Sequence, residues 1–413
     1  MNMKQGYLAG YFSGVAAKLL TAVEVSPQRS HQHEFNGSTE LLRLLGPAGR
    51  DKHRFAARFL YLEEDTEKPV TDDSEVTWYD ARARSAARTG RTEHRLYFPE
   101  NEVTRLAREG DLLLLALAHD NSLLIVIAEA ESSISRQLHW LFRLPDLAET
   151  GFSLRSADEL GSMRLGLAAS IILELIGIEP DLSDTRYLEA MLGRFGPAFP
   201  SMREFSAYAR ESLRDADPAD DPDAALVAWM DQEEVLFRTL EKHLIGQRLR
   251  EGFLRVAEPD VDGFLSYSLS VQNRRKARAG AALENHIEAV LIAQGIRFDR
   301  NAVTERGNRP DFLFPGAQAY RDPDFPAIRL SVLAAKTTAK DRWRQVTKEA
   351  DRIQLKHLLT LEPAISTKQT DQMRDSAVQL VVPSSIHGEY TQAQRRWLLD
   401  LRRFIELVRK LQA

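Results

Sequence analysis

Apolar residues change their spacing several times along this chain, and those changes divide it. Residues 12–24, F-S-G-V-A-A-K-L-L-T-A-V-E, carry a helix-like spacing that Ser26-Pro27 closes, and Leu41 to Leu45 shows a second helical pattern. From Phe55 the runs shorten: Phe55–Leu62, Val76–Arg82, His94–Pro99, Asp111–Ala118 and Ser122–Ala130. Short apolar runs divided by turns predict a small barrel or sandwich, with a hairpin across His119-Asp120-Asn121. Helices at Glu102–Arg108 and near the start would close its ends. A helical segment, Leu165–Ile176, meets the breakers Gly177, Pro180 and Ser183-Asp184. We therefore expect a mainly β domain over 1–155, a connector over 156–192 and a second domain over 193–413.

Beyond an acidic, proline-punctuated patch at Asp215–Asp223, a long amphipathic helix is expected from Ala224 to about Arg250, and Pro259 breaks the chain again. A helix over Val261–Val271 then leads into the basic run Asn273–Gly280. The next helix, Ala281–Gln294, places Leu283, Ile287, Val290 and Leu291 on one stripe, and Gly295 is a natural stop. Glu284 lies beside that stripe. Further on, Lys340–Leu359 has a helical composition.

A length of 413 residues favours two domains over one. With 43% apolar and 28% charged residues the composition is that of an ordinary globular protein, and no uncharged run approaches the roughly 20 residues a membrane span requires. The first residues lack the long apolar core of a secretory signal. The absence of cysteine excludes disulfides and thiolate metal sites, and a cytoplasmic location is expected. The net charge of −5 conceals an asymmetry: Phe264–Ala413 holds 25 Lys and Arg against 16 Asp and Glu, or +9, which leaves −14 on residues 1–263. A basic C-terminal part points to a polyanion partner.

The chemistry concentrates between Asn308 and Arg352. Pro310 before Asp311 and the F-L-F-P run after it put this acid at the start of a strand, and the next long apolar run, L-S-V-L-A-A-K, ends on Lys336. An acid and a lysine at neighbouring strand ends suit metal-assisted phosphodiester hydrolysis. Such a site wants a second acid two residues before the lysine, where this chain has Ala334. Glu349, with Gln345 one turn earlier on the same face of the expected helix, offers a replacement carboxylate. Lys340, Asp341 and Arg342 alternate in charge and suit a G·C pair. In the N-terminal part, Arg82–Arg95 holds five arginines, a pattern for gripping phosphate. His31, His33 and Glu34 make a poor metal site without a distant fourth ligand.

Several strings resemble the EcoRII-type restriction endonucleases: N-R-R-K-A-R-A-G, the A-L-E-N-H helix, R-P-D-F-L-F-P-G-A-Q-A-Y-R-D-P-D-F-P, L-A-A-K-T-T-A-K-D-R-W-R-Q and L-V-V-P-S-S-I-H. The resemblance implies an α/β restriction-endonuclease-like catalytic domain, a variant of the PD-(D/E)XK pattern, behind a mainly β N-terminal B3-like pseudobarrel. It implies Mg²⁺-dependent cleavage of double-stranded DNA at a short site beginning CC and ending GG, by a homodimer with a companion DNA cytosine methyltransferase. By matching position, Glu284, Asp311, Lys336 and Glu349 would be catalytic, with Asp311 and Glu349 on the metal, and Lys340, Asp341 and Arg342 would read bases. More loosely, His31, Arg91, Glu93, His94 and Arg95 resemble an effector-DNA cleft, and the N-terminal domain would restrain the nuclease until a second DNA copy binds. The competing expectations are a repair or nicking nuclease of the same fold and a non-catalytic DNA-binding regulator.

Overall fold

The computed structural model describes residues 6–25, 33–48, 52–66, 68–83, 91–147, 151–161, 165–255 and 258–413. It divides into two compact units, Met1–Pro180 with Ala364–Ser366, and Asp181–Pro363 with Thr367–Ala413.

The first unit is built on β1 (Phe12–Leu19), β2 (Glu34–Asn36), β3 (His53–Leu62), β4 (Val70–Asp80), β5 (His94–Tyr97), β6 (Leu112–Ala118), β7 (Leu123–Ala128) and β8 (Ser153–Ser156). They form one sheet in the order β2-β5-β4-β3-β7-β6-β1-β8, antiparallel except between β3 and β7. Alternate residues of the strands meet in a single cluster: Phe55, Phe59 and Tyr61 of β3, Trp78 of β4, Leu113 and Leu115 of β6, and Ile125 of β7 join Phe35 and Leu41. Side chains from strands so far apart in the order can meet only if the sheet curls around its own interior. The opposite face of β6 and β7 is buried as well, at Leu112, Leu114 and Val126, which is why these strands read as unbroken apolar runs. The mainly β domain and its β6–β7 hairpin are thus present.

The expected helix over 12–24 is instead strand β1, paired with β6 and β8. Both its faces are covered, so its sequence lacks the alternation of a half-exposed strand. Gly14 permits the close packing: a Cβ there would lie 2.9 Å from Leu44 Cδ1 and 3.2 Å from the Arg155 carbonyl. Helix α1 (Thr39–Leu45) forms where expected, capped by Ser38, and α2 (Glu102–Leu106) begins with a capping box at Asn101.

In the second unit, α3 (Met202–Ser212), α4 (Pro222–Glu251) and α5 (Val261–Ala293) pack together. Helix α5 fuses the two helices expected from the sequence, and the basic run between them lies in its interior. Two of its cations are matched by acids of α4, and a third stacks on a ring. Arg275 pairs with Glu241 at 2.7 Å, Arg278 pairs with Glu234 and lies 4.4 Å over the Phe237 ring, and Arg274 stacks 4.6 Å over Phe199. Neutralised in this way, a basic run can remain helical and partly buried.

The sheet of this unit runs β11-β12-β13-β14-β15, where β11 is Asp299–Arg300, β12 Phe312–Phe314, β13 Ser331–Ala335, β14 Lys356–Leu359 and β15 Val378–Val381. The two-stranded β9 (Leu254–Arg255) and β10 (Glu258–Pro259) lie apart from it, between α4 and α5. Pairing is antiparallel from β11 to β13 and parallel from β13 to β15. One face buries Phe312, Phe314 and His357 against Phe298 and Phe404; the other gathers Leu313, Val332, Tyr320, Ala350 and Ile353. This is the expected α/β domain. The helix expected over Lys340–Leu359 shrinks to a 3-10 turn (Lys340–Arg342) and α6 (Trp343–Val346), and its last four residues are strand β14. Burial of Lys356–Leu359 beside β13 overrides the helical composition of this stretch.

Candidate active site

Asp311 immediately precedes β12 and Lys336 immediately follows β13. Because Phe312 pairs with Leu333 in antiparallel register, Asp311 stands beside Ala334 at the C-terminal end of β13. Its Oδ2 accepts from the Ala335 backbone N–H at 2.7 Å and from Lys336 Nζ at 2.9 Å. Asp311 is buried, and Ala334 is fully buried beside it. The second acid comes from elsewhere in the chain.

That acid is Glu349, in the turn that follows α6. Trp343 and Val346 anchor the turn in the interior, and Ala350, at φ 51°, turns the chain down into the cluster of Val332 and Ile353. The helix ends at Val346, so Gln345 is exposed while Glu349 is half-buried, and the two do not share a helical face as expected. Burial, and then the negative charge of Asp311, push the Glu349 carboxyl up to about 7, against the opposing pull of Lys336 and Lys356. Its Oε2 is buried without a hydrogen-bond partner. Asp311, Lys336 and Glu349 therefore form one electrostatic group.

Glu284 is held differently. Its carboxylate accepts from Arg300 Nη2 at 2.8 Å, and the same guanidinium reaches Glu288 at 2.8 Å and Asn285 at 3.1 Å. Arg300 faces Phe312 in the ladder, so Glu284 ties α5 to the strand beside the one that Asp311 opens. Sequence reasoning missed Lys356. It is buried at the start of β14, donates to the Ile353 carbonyl at 2.7 Å, and has its pKa lowered by burial despite Asp351, Glu349 and Glu305 nearby. A lysine inside the apolar run K-H-L-L was the available signal.

Between Lys336 and Glu349 the chain presents the Lys340–Arg342 turn, with Lys340 half-buried and Arg342 exposed. Its base is fixed: the Ala339 N–H donates to the buried Glu362 carboxylate at 2.5 Å, and Arg344 lies 4.9 Å over the Trp343 ring.

In the first unit His31 falls outside the described residues, as do Arg84 and Arg88. Arg91 is exposed. Arg95 lies between Glu34 at 2.7 Å and Glu93 at 2.5 Å, and Glu93 also accepts from Arg82 at 2.5 Å. Those two arginines hold the Glu93 carboxyl below its ordinary range. His94 stacks on Trp78 at 5.3 Å, with Nε2 3.2 Å from the Ala48 carbonyl. Glu34 is engaged by Arg95 and Tyr79.

The second unit is thus a mixed-sheet α/β domain with an acid and a lysine at the ends of adjacent strands and a second acid in the turn after α6. Residues 237–405 match the family described as EcoRII C terminal. The type II restriction enzyme EcoRII of Escherichia coli is 44% identical over 213 residues, 50% of each chain. The chain thus spans about half the length of this curated relative. Among solved structures, metal-depleted Ecl18kI in complex with uncleaved, modified DNA is 18% identical, covering 55% of this chain and 84% of that one at a TM-score of 0.44. A complex of restriction endonuclease PspGI with substrate DNA is 15% identical, covering 52% and 93% at 0.43. The UbaLAI restriction endonuclease B3 domain with cognate DNA is 14% identical, covering 36% and 91% at 0.21.

Proposed function

We propose that the chain is a type II restriction endonuclease that hydrolyses both strands of DNA at a short site beginning CC and ending GG, with Asp311, Lys336 and Glu349 at its catalytic centre. The observation that carries this is the 2.9 Å contact between Asp311 and Lys336 beside a glutamate whose buried oxygen lacks a partner. Two carboxylates suffice for Mg²⁺, which keeps most of its waters. The charge of Asp311 already acts on Glu349, and an unpartnered Oε2 is a donor atom in want of a cation, so Asp311 and Glu349 would hold the ion. When bound, it would supply an activated water and polarise the phosphoryl group. Attack of a water oxygen on phosphorus, with departure of a sugar oxygen, builds negative charge on the phosphoryl oxygens. Lys336 spends one N–H on Asp311 and has two others to face that charge. Glu284 acts through Arg300 as a positioning residue.

In this scheme Lys340 and Arg342 donate to guanine edges and Asp341 accepts from cytosine. The enzyme is a homodimer, because a two-fold site is read by a two-fold protein. The first unit is a B3-like domain whose His31, Arg91, Glu93, His94 and Arg95 would contact an effector DNA, and it restrains the nuclease until that DNA binds. A cytoplasmic location beside a companion DNA cytosine methyltransferase follows from restriction itself. Asp311→Ala or Lys336→Ala is expected to retain DNA binding in a gel-shift assay and to lose cleavage of phage DNA in Mg²⁺. Metal-dependent cutting by either variant would overturn the assignment of the centre.

A further inference from the structure

Thirteen large apolar side chains are exposed among the described residues, and six of them, Leu249, Leu254, Val261, Phe264, Leu265 and Leu269, cluster where α4 passes through β9 and β10 into α5. The start of α5 has two distinct faces. At about 100° per residue, Tyr267, Val271 and Arg278 lie on one side of the helix, with the partly exposed Phe264 at its edge. There Phe264 and Tyr267 meet Phe253 at 5.4 and 5.6 Å, and Val271 and Arg278 are buried. On the opposite side, within an arc of about 100°, lie Val261, Asp262, Leu265, Leu269, Gln272 and Lys276. All six are exposed, with Val261, Leu265 and Leu269 at 61%, 52% and 59%.

This outer stripe is complementary to itself. Asp262, Leu265, Leu269, Gln272 and Lys276 are spaced alternately by three and four residues, the spacing of a helix–helix seam. An acid closes one end and a lysine the other, about 21 Å apart along the helix. We propose that this stripe is the surface on which a second copy of the chain docks, as an antiparallel helix pair about a two-fold axis near Tyr267. The pairing sets Leu265 of each helix against Leu269 of the other and each Asp262 against the other Gln272, with Lys276 one turn beyond, about 6 Å along the axis. It rests on the proposed two-fold restriction enzyme and names its interface. Helix α5 continues from the stripe to Leu283 and Ile287, which are fully buried in the domain, and to Glu284, which grips Arg300. One rigid element thus joins the contact to each catalytic sheet, and its pairing sets the separation of two active centres.

The test uses the full chain, with mass by sedimentation velocity, secondary structure by circular dichroism, and cleavage of site-bearing DNA. Leu265→Glu/Leu269→Glu is expected to sediment as a monomer with unchanged circular dichroism, its dimer dissociation constant raised by roughly 100-fold or more. Asp262→Lys and Lys276→Glu, each alone, are expected to weaken the dimer roughly tenfold, and the two together to restore it. A folded Leu265→Glu/Leu269→Glu variant that remains dimeric overturns this surface and leaves the two-fold reading standing. A wild-type chain that stays monomeric with and without site-bearing DNA overturns the two-fold reading, and this surface with it. If the double glutamate variant loses its fold, the charge reversal decides: a combined Asp262→Lys/Lys276→Glu chain no tighter than its single variants overturns the proposal.

Discussion

Glu349→Gln removes a charge from the candidate site with little change of shape, and its effect on stability follows from the environment of the carboxyl. Unfolded, Glu349 titrates near 4.5, and in the fold near 7. Between those values the folded chain binds more protons than the unfolded one, so stability falls as pH rises through this window and stays lowered above it. At 1.36 kcal/mol per pH unit the full cost is about 3.4 kcal/mol, and structural relaxation would bring it nearer 2 kcal/mol. The Gln variant carries no such charge. In EDTA at pH 8 it is expected to be more stable than the wild type by about 2 kcal/mol, and at pH 5 by less than about 1 kcal/mol. Urea unfolding followed by tryptophan fluorescence reads this directly, since Trp343 is buried close to the site. Adding Mg²⁺ at pH 8 should raise the wild-type midpoint and leave the variant where it was. An equal gain at both pH values, or none at either, would refute the electrostatic account.

Arg278→Ala should cost about 3–5 kcal/mol in the same unfolding assay, because it leaves Glu234 buried beside Arg238 alone. Burial works against the Glu234 carboxylate, yet Arg278 and Arg238 together hold its pKa below the ordinary range. Arg342→Ala should relax discrimination at one G·C position by about 1–3 kcal/mol, seen as new end sequences when fragments of digested DNA are sequenced.

Where packing follows local spacing, the fold was legible. The β6–β7 hairpin, the long helix that became α4 and the stripe from Leu283 to Leu291 all form from residues whose neighbours lie within a few turns. Elements shaped by distant partners read wrongly. β1 is covered on both faces and so carried a helical signature, the basic run in α5 needed the acids of α4 before it could be helical, and Lys356–Leu359 is a strand because β13 lies beside it. At the candidate site, Asp311 and Lys336 were visible as residues at the ends of apolar runs. Glu349 was singled out, but in a helix that ends before reaching it. Lys356 gave little notice, since a lysine becomes significant there only when the strand around it is buried.

Ala334 has a mechanical implication for the proposed enzyme. Had the second acid stood there, it would have been bolted to the sheet, indifferent to anything the intervening loop might touch. Placed instead at Glu349, it shares one short tether with Lys340–Arg342, pinned at Ala339 and at Trp343. A base pair that pushes that turn aside also pulls on the carboxylate, so a wrong sequence would disarm the chemistry as well as weaken the grip. In such an enzyme the fidelity of cutting should exceed the fidelity of binding.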